Sequence, residues 1–257
     1  MPTRRCAPLA ALLLAAAALP AVGQDNYEIQ VYGSELVAPG ATMTELHSNF
    51  TTRGSLGPFG SYHALHETIE ITHGFNEFFE LGFYQFTSVQ SGGGLQYVGN
   101  HIRPRFAVPE RFHLPVGLSL SQEIGYVRSD FSTDTWTWEV RPIIDKTIGH
   151  FYASLNPVLG FVLGGPNKGG SPDFSPQAQV GFDLTPKFNL ALEYYGSTGT
   201  LAKSEPFDST QQYLYPALNI NFGPEWEFNI ATGLPLTSVT DRVIVKMIVG
   251  HRFGAKK

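Results

Sequence analysis

Phe188-Asn189-Leu190-Ala191-Leu192-Glu193-Tyr194-Tyr195 alternates residue by residue, one face reading Phe, Leu, Leu, Tyr and the other Asn, Ala, Glu, Tyr. Side chains return to the same face every second residue only in an extended strand, so this stretch is a strand with one apolar face. Trp226-Glu227-Phe228-Asn229-Ile230 repeats the pattern, and so does the run from Phe112 to Ser121. No apolar stripe of helical period follows residue 24.

Working outward from these runs, a longer repeat emerges. Short turns are followed at once by an aromatic residue that opens an alternating stretch, at Phe78, Phe112, Phe151, Phe188 and Trp226. The steps between them are 34, 39, 37 and 38 residues. That is the length of a membrane hairpin, with two strands of about 10 residues, a tight turn and a longer loop. Aromatics at one end of each hairpin would form a girdle at the membrane interface. Longer polar or Gly-rich connections alternate with the short ones, including 163–173 and 199–210. The expected fold is therefore all-β, a transmembrane antiparallel barrel of about twelve strands, with ten or fourteen as alternatives. The strand cores fall at 41–52, 62–73, 77–89, 97–108, 112–128, 135–146, 150–162, 173–185, 187–198, 211–222, 225–236 and 241–253. Residues 41–257 make the barrel, and residues 24–40 form an N-terminal periplasmic or lumen segment, or a miscounted strand, because Tyr27 to Tyr32 alternates too.

Composition agrees with export to a membrane. Of 257 residues, 15% are charged and 13% aromatic, and the net charge is −5. The chain is too apolar for disorder and too acidic for a sequence-independent nucleic-acid binder. Arg4 and Arg5, an apolar run from Leu9 to Val22 and the small residues before Gln24 have the order of a cleaved signal peptide over 1–23. The single cysteine, Cys6, lies inside that segment, so no disulfide framework is expected in the mature chain.

Two local features bear on closure. Val243, Val245, Met247, Val249, His251 and Phe253 share one face of the last stretch and end on an aromatic, the kind of signal that barrel-assembly machinery reads at Phe253. Pro104, Pro142, Pro157, Pro176 and Pro216 fall inside strands. Proline cannot donate to a ladder, so bulges or bends are expected there, and a soluble sandwich with edge strands is the competing fold.

The segments Tyr27 to Glu35, Thr44 to Phe50, His66 to Phe75, His101 to Arg105, Ser121 to Tyr126 and Trp136 to Pro142 resemble a family of bacterial outer-membrane β-barrels. That family is related to the transporter-like barrels of the meta-pathway of phenol degradation. The resemblance implies an outer-membrane barrel and, more loosely, transport; it brings no functional residues with it.

With the aromatic-rich face toward lipid, parity sends the other face inward. That set contains Glu70, Glu80, Tyr84, Arg103, Arg105, Glu123, Glu139, Arg141, Glu193, Tyr195, Tyr213, Tyr215, Lys246 and Arg252. A charged lining would select small solutes in passive passage, narrowed by the loops at 163–173 and 199–210. An interior packed shut by acid–base pairs is the alternative, and would make the protein a closed structural or adhesive barrel. An outer-membrane lipid hydrolase is a third reading, raised by His47-Ser48-Asn49, but neighbours on a strand point to opposite faces. His63 and His66, three apart, do not share a strand face, and no nucleotide or zinc motif occurs, so neither catalysis, cofactor nor metal is expected. The expected partners are outer-membrane lipid and lipopolysaccharide, the assembly machinery and a small solute of unknown identity, with no nucleic acid.

Overall fold

The computed structural model describes residues 26–55, 60–90 and 92–254. The expected signal peptide lies outside these residues. Twelve strands form one closed antiparallel barrel. They are β1 (Ala41–Arg53), β2 (Leu65–Asn76), β3 (Phe79–Val89), β4 (Leu95–Ala107), β5 (Gly117–Val127), β6 (Trp136–Ile148), β7 (Phe151–Gly164), β8 (Asp173–Thr185), β9 (Phe188–Gly196), β10 (Gln212–Gly223), β11 (Trp226–Pro235) and β12 (Arg242–Gly254). Each pairs with its neighbours in sequence, and β1 meets β12 from Ala41↔Gly254 to Arg53↔Arg242. The barrel therefore begins and ends at the same mouth as the short turns. One of the two-residue turns, between Ile148 and Phe151, puts Gly149 at a φ of 61°, which a side chain would resist.

Burial alternates along the strands as the sequence does. Leu46, Phe50, Ile69, Ile71, Phe83, Ile102, Ile124, Leu155, Leu190, Leu192, Ile230 and Val245 are exposed on the outside. Glutamates, arginines, a lysine and histidines are buried on the inside. This inverts a soluble fold and suits a lipid surround, where a closed sheet also leaves no backbone group unpaired. No helix among the described residues is long and apolar enough to cross a membrane; the strands do the crossing.

Two expectations need correction. The strand expected from Phe112 starts at Gly117 instead. Glu110–Phe112 winds into a short 3-10 turn, and His113 takes a left-handed φ of 49°, so alternation there does not reflect extended backbone. The prolines make no bulges. Pro104, Pro142 and Pro216 all face outward, and pairing skips a step on one side of each before resuming unshifted. Ile102↔Ile124 and Arg105↔Ser121 show this around Pro104, and Val140↔Leu159 and Ile144↔Leu155 around Pro142. Pro157 and Pro176 face each other directly in register. A strand residue aims its N–H at only one neighbour, so proline costs one ladder locally and leaves the other intact. The irregular steps lie elsewhere, for example between Phe86 and Thr87 and between Trp136 and Thr137.

Candidate functional site: a threaded lumen

Residues 26–40 form no strand. They run through the barrel from end to end. At the short-turn mouth the Gly40 amide donates to the Gly74 carbonyl at 2.7 Å. At the long-loop mouth the Asn26 amide reaches Asp241, between β11 and β12, at 3.4 Å, and Asn49 donates to the Asn26 carbonyl at 2.9 Å. Chain inside a barrel must find partners for its own N–H and C=O groups, because the wall strands already bond one another.

Those partners are wall side chains. Thr68 donates to the Tyr27 carbonyl at 2.7 Å, Lys246 to Ile29 at 2.9 Å and Arg141 to Gln30 at 3.2 Å. Asn156 accepts from the Tyr32 amide at 2.8 Å, and Ser154 donates to the Tyr32 carbonyl at 2.6 Å. Arg105 donates to the carbonyls of Gly33 and Glu35. Asp145 takes both the amide and hydroxyl of Ser34, at 2.8 and 2.7 Å, and Glu80 accepts from the Val37 amide at 2.6 Å. Six strands thus hold eight residues of thread between Tyr27 and Val37.

The wall has two chemistries. Ile29 and Val31 pack on Ala191, Tyr195, Tyr213, Tyr215, Ala217, Ala231 and Ile244, an apolar patch on β9 to β12. Tyr32 turns to the charged side, where the guanidinium carbons of Arg103, Arg105 and Arg141 stand 4.8, 5.4 and 4.8 Å from its ring centre. Its hydroxyl bonds Glu28 and lies 2.9 Å from the Tyr84 hydroxyl. Cations over an aromatic face are attracted by its quadrupole, and more strongly when desolvated.

Of the fourteen residues assigned inward by parity, twelve are buried and Glu139 and Arg252 are half-buried, and the charged ones are mostly paired. Arg103 meets Glu70 at 2.6 Å and Glu80 at 3.5 Å, and Arg105 meets Glu80 at 3.5 Å. Arg141 meets Glu139 at 2.7 Å, Lys246 meets Glu193 at 2.5 Å, and Glu123 pairs with His101. Arg252 donates to the Pro224 carbonyl at 3.4 Å near the short-turn mouth. Phe78, Phe112, Phe151, Phe188, Trp226 and Phe253 are exposed around that same mouth. Asp145, Ser154 and Asn156 were not among the expected lining; inward parity, continued two steps past Arg141 through Ile143 to Asp145, carries the signal for the first. His47 and Asn49 face inward while Ser48 bonds Glu67 on the outside at 2.6 Å, so these three do not come together as a catalytic set. His63 stacks on Tyr62 while His66 meets Tyr27 edge-on, which separates that pair. The loops at 163–173 and 199–210 bond each other, through Leu201 to Pro172 and Phe174 to Gly199; the lumen is narrowed by the thread.

A cavity of about 450 Å³ remains beside the thread at the short-turn mouth, lined by Gln179, Asn219, Asn229, Glu45, Glu227 and Arg252 among others. A polar vestibule, then a stoppered throat, make up the path through the barrel.

The barrel fold has solved counterparts. The COG4313 outer membrane channel from Pseudomonas putida F1 is 11% identical, with a TM-score of 0.60 over 88% of this chain and all of that one. The KdgM porin in complex with disordered oligogalacturonate is 9% identical, with a TM-score of 0.53 over 83% of this chain and 99% of that one. The NanC porin is 7% identical, with a TM-score of 0.52 over 83% of this chain and all of that one. The fold is that of outer-membrane channel barrels. No family model matches the sequence, and no curated protein matches it. At these identities the likeness is one of fold, and function must be argued from the lumen.

The thread's entry depends on one glycine. A Cβ on Gly74 would stand 2.1 Å from the Val37 carbonyl oxygen and 2.6 Å from that of Ala38, both backbone atoms with nowhere to yield. Gly74→Val is therefore expected to keep the barrel but unseat the thread. Cleavage by a glutamyl endopeptidase after Glu28, buried in the native lumen, checks this. Continued resistance to the protease would show that the thread docks independently of Gly74.

Proposed function

We propose that the protein is a bacterial outer-membrane channel for passive passage of small solutes, closed at rest by its own residues 26–40. The observation that carries this is the thread itself. The throat is blocked by a segment held through hydrogen bonds to side chains, which can exchange for water, while the ladder that makes the wall is untouched by its departure. With the thread gone, the wall presents rows of opposed charges, among them Glu70, Glu80, Glu123, Glu139, Arg103, Arg105, Arg141 and Lys246, facing a continuous passage. Small ionic or polar solutes suit such a lining. The likeness to channels and porins supports this over a catalytic role, and the sequence resemblance supports kinship with transporter-like barrels of the phenol meta-pathway. The apolar exterior would sit in lipid and lipopolysaccharide, with the aromatic residues at the short-turn mouth as its interfacial girdle. The β12 face ending at Phe253 would guide the assembly machinery.

The filled lumen favours one rival, a permanently closed structural barrel. Planar-bilayer recordings of the refolded chain, with and without residues 26–37, separate the two. The intact chain is expected to rest closed with voltage-driven openings, and the shortened chain to conduct steadily. A shortened chain that shows the folded, heat-modifiable gel mobility yet never conducts would overturn the channel.

A further inference from the structure

One group of lumen side chains takes no part in holding the thread. Glu45 and His47 sit two apart on β1 and so share its inward face, and Glu70 on β2 stands directly across from Glu45 in the ladder. All three are buried, His47 completely. One nitrogen or oxygen from each lies within 4.8 Å of the others.

Each of the three has unused bonding capacity. Neither ring nitrogen of His47 has a hydrogen-bond partner, and nor does Oε2 of Glu70. The two approach to 3.4 Å without hydrogen-bond geometry. The lumen's ion pairs among the described residues go to Glu70, Glu80, Glu123, Glu139 and Glu193, and none to Glu45. A buried carboxylate without a counter-charge is costly, and so is a buried imidazole without a partner. One cation placed between them would resolve all three deficits at once.

We propose that Glu45, His47 and Glu70 bind a divalent transition-metal ion of the zinc type. The mixed donor set, one imidazole and two carboxylates, suits such an ion better than calcium or magnesium, which take oxygen alone. Tetrahedral coordination at about 2.1 Å requires donors about 3.4 Å apart, the separation already present between His47 and Glu70. Glu70 is held for the task from behind, since its Oε1 accepts from Thr72 at 2.7 Å and from Arg103 at 2.6 Å, leaving Oε2 free. Glu45 borders the vestibule at the short-turn mouth, which gives the ion an aqueous route in and leaves room for solvent as a fourth ligand. The site is independent of whether the barrel conducts.

Cobalt(II), whose visible d–d bands report tetrahedral nitrogen and oxygen ligands, is the probe. An untagged, chelator-stripped full chain refolded in detergent is expected to develop these bands up to one equivalent and lose them when zinc is added. Glu45→Gln and His47→Gln should each weaken binding by at least about tenfold. His66→Gln, another buried lumen histidine whose ring nitrogens have no hydrogen-bond partner, should leave it unchanged. If His47→Gln fails to reach the folded gel mobility, Glu45→Gln at the vestibule edge still decides. Absence of the one-equivalent bands, or bands that survive Glu45→Gln or follow His66 instead, would overturn the site.

Discussion

If the barrel is the channel proposed above, Tyr32→Ala should raise the fraction of time it conducts by roughly a hundredfold. Tyr32 is the best-anchored residue of the thread: three guanidinium groups surround its ring, its hydroxyl meets Glu28 and Tyr84, and its backbone is bonded by Ser154 and Asn156. The substitution keeps the backbone bonds and removes everything the ring and hydroxyl contribute. Truncating a buried aromatic to alanine costs about 3–5 kcal/mol in a packed interior. Even about 3 kcal/mol on a seated-to-released equilibrium moves it by roughly two powers of ten. Tyr32→Phe separates the parts. It keeps the ring among the arginines and loses only the hydroxyl's bonds, so an increase nearer tenfold is expected. Single-channel open probability at fixed voltage reads both, and equal values for the wild type and both variants would show that the thread's seating does not govern conduction. Arg103→Glu and Arg141→Glu each reverse a charge of the lumen lining. Each would loosen the clasp on Tyr32 as well as alter selectivity, so a rise in open probability should accompany the change in ion preference.

The second large effect concerns Lys246, the one lysine buried in the lumen among the described residues. Lys246 is buried and donates to Glu193, to the Ile29 carbonyl at 2.9 Å and toward the Tyr195 hydroxyl at 3.4 Å. Lys246→Met would leave the Glu193 carboxylate buried with Tyr195 but without a counter-charge, at a cost of about 3–5 kcal/mol. Lys246→Met combined with Glu193→Leu replaces the pair by apolar side chains beside the existing tyrosine and alanine patch, and should recover most of the loss. The midpoints of urea unfolding, followed by the gel-mobility shift, measure the cycle. A single variant within about 1 kcal/mol of the wild type, or a double variant no better than the single, would mean that water reaches this pair and screens it.

Most of the barrel was legible because membrane strands obey one rule, apolar outward, for their whole length. Expected and observed strands coincide at 173–185 and differ by a residue or two at most others. Where the rule is mimicked it misleads: the run after Phe112 alternates, yet Pro109, Pro115 and the turn at His113 keep it out of the sheet until Gly117. The thread is the deeper case. Tyr27 to Tyr32 alternates like a strand because the lumen has two unlike walls, with Ile29 and Val31 against tyrosines and alanines, and Tyr32 against arginines. A segment inside that space acquires the same two-face pattern as a segment in the sheet. Parity could place Arg103, Arg105 and Arg141 in the interior, but it carries no information on whether the interior holds water or chain. Nor could spacing reveal Glu45, His47 and Glu70 as neighbours, since their meeting depends on the register of β1 against β2.

The thread also separates the two ends of the described chain, Asn26 and Gly254. The first and last strands are hydrogen-bonded neighbours, and Ala41 faces Gly254 across the seam. Asn26, fifteen residues earlier, is at the opposite mouth beside Asp241. A peptide fused ahead of Asn26 would thus emerge among the long loops, on the far side of the bilayer from one fused behind Gly254. Cargo attached at the front would be displayed to the exterior whenever the stopper is home, and front and rear fusions of the same domain would face different compartments.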